Sequence, residues 1–131
     1  ASFDLYLNEM RGDVWTIETK DRNFQDLELF GQYKGKLPKK LCIGAVSHRT
    51  LQADRAEDVA TSIRTALKHV TPEQLIVSSD CGFGREGMSR RIAFYKMVAI
   101  VRGTNIVRKE LGLQEAVCLA ADPKFALADE Y

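Results

Sequence analysis

Three short apolar runs, each followed by a stretch with helical periodicity, constrain this chain more than any other feature. Residues 14–19, rich in β-branched and aromatic side chains, follow Gly12, a stop for a helix ending near Met10. Residues 41–47 form a second run after Pro38 and two lysines, and residues 75–77 a third after Thr71 and Pro72. Runs of this kind without polar alternation suit strands buried on both faces, as in parallel sheets. Between them, Phe24, Leu27 and Phe30 recur on one face before Gly31. Ala56, Val59, Ala60, Ile63, Ala66, Leu67 and Val70 predict a helix over 56–70. Asp54 is placed to cap it, with Glu57 reaching back as in a capping box. A last helix is expected from Ser89 to Leu111, where Gly112 supplies a left-handed stop. Gly103 inside it weakens that helix by about 1 kcal/mol relative to alanine. The tail beyond Leu113 reads as irregular or loosely helical.

The pattern βαβαβα implies an α/β fold: parallel strands with right-handed crossover helices. At 131 residues, 45% hydrophobic and 28% charged, the chain has the size and composition of one globular domain. Three such units make either a small open sheet or the C-terminal portion of a (β/α)8 barrel, which needs about 250 residues. As part of a barrel, residues 1–131 would leave a strand edge and an apolar wall uncovered. The chain then needs the missing half-barrel or self-association with a second copy.

Charge and cysteine content remove several classes of partner. A net charge of +1 leaves no electrostatic footprint for nucleic acid or an anionic membrane. No apolar run approaches the roughly 20 residues of a bilayer span, and residues 1–4 carry no signal-peptide pattern. Three cysteines, an odd number at wide spacing, fit a reducing compartment, so a cytoplasmic location is expected.

Position then singles out three residues. Glu18 lies near the carboxyl end of the first strand, His48 just past the second and Cys81 just past the third. Ligands and catalytic groups of parallel α/β folds gather at the carboxyl ends of strands. A carboxylate, an imidazole and a thiol on one rim are the side chains that bind zinc. Taken singly, each has an ordinary explanation: a helix-capping Glu, a satisfied loop His, a small buried Cys. Cys42 within a strand and Cys118 in the tail read as structural. His69, at the end of an amphipathic helix, is explained by the helix dipole.

The loop after the third strand contains Gly82, Gly84 and Gly87, spaced as G-x-G-x-x-G between a strand and a helix. A dinucleotide-binding unit would continue to a second strand ending in an acidic residue, and none follows. The glycines are expected instead to turn the backbone tightly so that Cys81 points into a site. Their amides are candidates to hold an anionic group.

Val14-Trp15-Thr16-Ile17-Glu18-Thr19, then Gly44-Ala45-Val46-Ser47-His48, then Asp80-Cys81-Gly82 resemble the carboxyl-terminal part of cobalamin-independent methionine synthase. The stretch over residues 80–113 is similar to the shorter, single-barrel bacterial relatives. The resemblance implies a TIM-type barrel, zinc as cofactor and no cobalamin. Its activity is that of a 5-methyltetrahydropteroyltriglutamate–homocysteine S-methyltransferase. A methyl group passes from a methyltetrahydrofolate-type donor to the thiol of L-homocysteine, giving methionine.

The resemblance makes Glu18 and Cys81 zinc ligands and His48 the acid that protonates the folate leaving group; Asp80 and Gly82, on either side of Cys81, are candidate substrate-binding residues. It puts the family's His-x-Cys pair, the remaining two ligands, upstream of Ala1. The chain is accordingly expected to be an incomplete part of the enzyme, inactive alone. Two alternatives keep the same residues: zinc-dependent alkyl transfer to another thiol such as coenzyme M, and a non-catalytic barrel remnant or association module.

Overall fold

The structure, a computed structural model, describes residues 2–127. The chain enters through α1 (Ser2–Asp4), which continues as a wide helical turn over Leu5–Glu9. It then runs through β1 (Val14–Ile17), α2 (Leu27–Gly31), β2 (Lys40–Val46), α3 (Ala56–Leu67), β3 (Leu75–Ser79) and α4 (Arg90–Glu110). Single turns at Lys20–Arg22, Pro72–Gln74, Leu119–Ala121 and Pro123–Phe125 complete it. The three strands are parallel and lie in the order β1-β2-β3, as the strand–helix alternation predicts.

Register divides the sheet into two faces. Trp15, Leu41 and Leu75 form one cross-strand row, and Ile17, Ile43 and Val77 another. Both rows face the helices. Leu41 and Ile43 pack with Leu27, Phe30, Ala66 and Val70, while Val77 joins a second cluster built on Val59, Ile63, Ile100 and Val107. The intervening row, Thr16, Cys42 and Ile76, faces the other way. That opposite face is covered at β2 and open at its neighbours: Cys42 is buried, whereas Val14 is 42% and Ile76 37% exposed. The expectation of strands buried on both faces thus holds for β2 alone. β1 and β3 flank it and, among the described residues, have no strand on their outer sides.

Helix boundaries depart from the periodicity for local reasons. Asn23 and Phe24 both adopt positive φ (51° and 59°), so α2 is delayed to Leu27. Phe24 still packs on the same cluster as Leu27 and Phe30. α3 ends at Leu67, short of the predicted Val70. Its N-cap is Arg55, without a side-chain cap. The predicted Asp54 cap is not made, because the Asp54 carboxylate accepts from Lys96 Nζ (2.7 Å). For α4 the expected signals act: Ser89 Oγ accepts the Ile92 N–H (3.1 Å), and Gly112 follows the helix at φ 70°. The tail is irregular as read, pinned where the Asn105 side chain pairs with both backbone groups of Ala116.

Gly103, a weak point of α4 on propensity, is where α3 and α4 touch. A Cβ there would lie 2.6 Å from Val59 Cβ and 2.7 Å from the Ala56 carbonyl oxygen. The same helix pair is joined at the surface by Arg64, which bonds Glu57 (2.7 Å) and both carboxylate oxygens of Glu110. The Arg64 guanidinium holds the Glu110 carboxyl below its ordinary value. A depressed folded-state value stabilises the fold above the unfolded value, and this is lost as pH falls through the folded one. An NMR titration should therefore show Glu110 ionising below the usual glutamate range, and returning to it in Arg64→Ala.

Candidate functional site

The carboxyl ends of the three strands are tied together by one buried carboxylate. Asp80, the residue after β3, is 6% exposed. Its Oδ1 accepts the amide N–H groups of Thr19 (2.8 Å) and Lys20 (2.9 Å), and its Oδ2 accepts that of Asp21 (2.7 Å). Three successive amides converging on one anion form a nest, and each bond is strengthened by the carboxylate charge. Asp80 is itself held by β2, its N–H donating to the Val46 carbonyl (2.9 Å). The Thr19 hydroxyl, fully buried, donates to the Gly44 carbonyl. The loops after β1 and β3 are thereby locked over the end of β2.

Gly44 makes this possible. A Cβ at that position would meet Asp80 Oδ1 at 1.8 Å and Asp80 Cα at 2.6 Å. Beside it the register slips, Gly44 pairing with Ser78 and Val46 with Ser79, so Ala45 is an extra residue. A lone glycine inside a buried strand run is the sequence signal for such a bulge or close approach. Asp80 therefore acts in the structure as a tether, with both carboxylate oxygens engaged by backbone amides.

His48 lies two residues past β2 and is buried, 6% exposed. Its Nδ1 has no hydrogen-bond partner among the described residues and stands 3.7 Å from Asp21 Oδ2. The same Asp21 oxygen lies 3.3 Å from Arg49 Nε. Arg49 N–H also donates to Ser47 Oγ (3.0 Å). Asp21 was not singled out by the sequence pattern. It joins the Asp80 nest through its amide and the His48 loop through its side chain, so all three rim loops meet in one polar network.

Glu18 and Cys81 are both exposed, one residue outside that network on either side. Thr19, whose amide reaches Asp80, follows Glu18; Asp80 precedes Cys81. The 2.8 Å bond between them draws together the chain segments that carry the carboxylate and the thiol. Ser79 Oγ donates to the Cys81 carbonyl (2.9 Å), fixing the turn that presents the sulfur. All three cysteines are free thiols; Cys42 is buried as expected of a structural residue, but Cys118 is exposed. Of the three loop glycines only Gly87 turns the backbone as expected, at φ 84° with the Met88 N–H donating to the Arg85 carbonyl (3.1 Å). Gly82 and Gly84 have no positive φ, and a Cβ at either would touch nothing within 4 Å.

A carboxylate and a thiol, exposed and tethered to one rim, are donors that suit zinc. Among the described residues no group of three or more His, Cys, Asp or Glu side chains is placed to hold a metal. Glu18 and Cys81 are thus two donors of the types zinc takes, and a complete site would require others. Nor, among the described residues, is any helix long and apolar enough to cross a membrane.

Comparison with known proteins agrees with this architecture. Residues 3–102 match the family described as cobalamin-independent synthase, catalytic domain. A methionine synthase of Saccharolobus islandicus (strain Y.G.57.14) is 38% identical over 106 residues, 81% of this chain and 31% of its own length. One from Thermococcus kodakarensis is 35% identical over 81% of this chain and 30% of its own length. The solved B12-independent methionine synthase of Shewanella sp. W3-18-1, in complex with selenomethionine, superposes with a TM-score of 0.69. It shares 31% identity over 81% of this chain and 29% of that one. The chain therefore spans less than a third of the relatives it matches, and its three βα units correspond to part of a TIM-type barrel. On the family match and these identities together, the chain belongs to the cobalamin-independent synthase family, within its catalytic domain.

Proposed function

We propose that residues 1–131 form the C-terminal part of a zinc-dependent methyltransferase barrel, in a cytoplasmic protein. The enzyme would move a methyl group from a 5-methyltetrahydropteroyl-glutamate donor to the thiol of L-homocysteine. The open face around Val14 and Ile76 is then completed by the remaining barrel strands of a longer chain or by a second copy. The observation that carries the reading is the Thr19–Asp80 bond, which couples the segments bearing Glu18 and Cys81.

On this reading Glu18 and Cys81 hold zinc together with donors outside the chain. A free thiol has a pKa of about 8.5, and bound zinc favours the thiolate, the nucleophilic form. Methyl transfer forms a carbon–sulfur bond as the carbon–nitrogen bond of the donor breaks. The nitrogen is a poor leaving group unless protonated, and His48 is the acid assigned to that proton. Asp21 Oδ2 faces Nδ1 at 3.7 Å, while burial of His48 shields the transfer from bulk water.

Metal analysis of the complete protein tests the roles separately. Cys81→Ser should lose zinc, whereas His48→Ala should keep about one zinc per site and lose methionine formation. A Cys81→Ser protein that retains both metal and activity overturns the assignment. Loss of zinc in His48→Ala would make His48 a ligand instead of an acid.

A further inference from the structure

Lys96, on α4, has no exposed surface, although it carries a cation. A buried ammonium is costly unless it is paired and hydrogen-bonded. Both partners come from the loop between β2 and α3: Nζ donates to Thr50 Oγ1 (2.9 Å) and Asp54 Oδ2 (2.7 Å). Thr50 lies two residues after His48, and Asp54 lies just before the helix. One side chain thus grips the loop at two points from beneath. Other restraints on it include the Arg49–Ser47 bond and the approach of Asp21 to His48 and Arg49.

We propose that Lys96 is a positioning residue for His48, clamping the β2–α3 loop so that the imidazole stays buried beside Asp21. The value of that position rests on His48 being the proton donor. The clamp itself is a geometric claim and can fail or stand without it.

The test is acylation of the complete protein with diethylpyrocarbonate, read at the His48 and His69 peptides by mass spectrometry. The chain has two histidines, and His69, at the end of α3, serves as an internal reference. In Lys96→Met the labelling rate of His48 should rise about tenfold, the order expected from losing a hydrogen bond to a buried charge. Thr50→Val should raise it less, Thr50→Ser should match the parent, and His69 should be unchanged throughout. If Lys96→Met does not fold, Thr50→Val against Thr50→Ser decides. Unchanged His48 labelling in the folded variants overturns the proposal, as does a parallel rise at His48 and His69. No methyl transfer is measured, so either outcome leaves the proton-donor assignment to its own test.

Discussion

Replacing Asp80 by alanine should lower the free energy of unfolding by about 4 kcal/mol, measured by urea denaturation followed by circular dichroism. The change removes the common acceptor of three amides, those of Thr19, Lys20 and Asp21, in a site where Thr19 is wholly buried. Each stranded donor costs about 1–3 kcal/mol unless water reaches it, and partial hydration of Lys20 and Asp21 keeps the sum below the maximum. Asp80→Asn separates the two oxygens. Its remaining carbonyl can still serve Thr19 and Lys20, but an amino group then faces the Asp21 N–H, donor against donor. A loss between that of alanine and zero is expected. In the complete protein the asparagine variant should also bind zinc about 10–100-fold more weakly, the usual effect of loosening a ligand's support. A loss under about 1 kcal/mol for alanine would mean that the nest is satisfied without Asp80.

Gly44→Ala should be at least as damaging as an ordinary overpacked core, about 3 kcal/mol. The added methyl would fall 1.8 Å from Asp80 Oδ1 and 2.7 Å from its Cγ, atoms that three amides hold in place. Relief by rotating the carboxylate abandons those bonds, and relief by backbone movement opens the β2–β3 pairing. The two substitutions should therefore be non-additive. With Asp80 already alanine, the contacts to Oδ1 and Cγ vanish and only the 2.6 Å approach to Cα remains, so Gly44→Ala should cost distinctly less. Gly82→Ala, with open space and ordinary φ, is the control and should be neutral in the same denaturation series. Equal costs for Gly44→Ala in the two backgrounds would show that the carboxylate is not what the methyl meets.

The strand–helix order was legible because its signals are local: β-branched runs, amphipathic spacing in α3, and the Ser89 and Gly112 ends of α4. Glu18, His48 and Cys81 were legible as rim residues because chain direction in a parallel sheet decides which end they occupy. What escaped was pairing at a distance. Asp54 reads as a helix cap within its own segment, yet a lysine 42 residues later outcompetes the helix amides for its charge. Asp80 reads as part of the Asp-Cys-Gly motif alone, and nothing local shows that its oxygens are engaged by amides 59 to 61 residues earlier. Gly103 reads as a weakness of one helix and is a requirement of two. No periodicity encodes such partnerships, although a glycine inside a buried element hints that something must come close. Of the glycines in the loop after β3, only Gly87 makes the tight turn they suggested, at φ 84° with the Met88 N–H donating to the Arg85 carbonyl.

Convergent amides at the mouth of an α/β protein are common seats for phosphate groups. Here that seat is already taken by a side chain of the same polypeptide. Orthophosphate or a nucleotide would find no vacant cradle in the first loop, whose amides are already spoken for by Asp80.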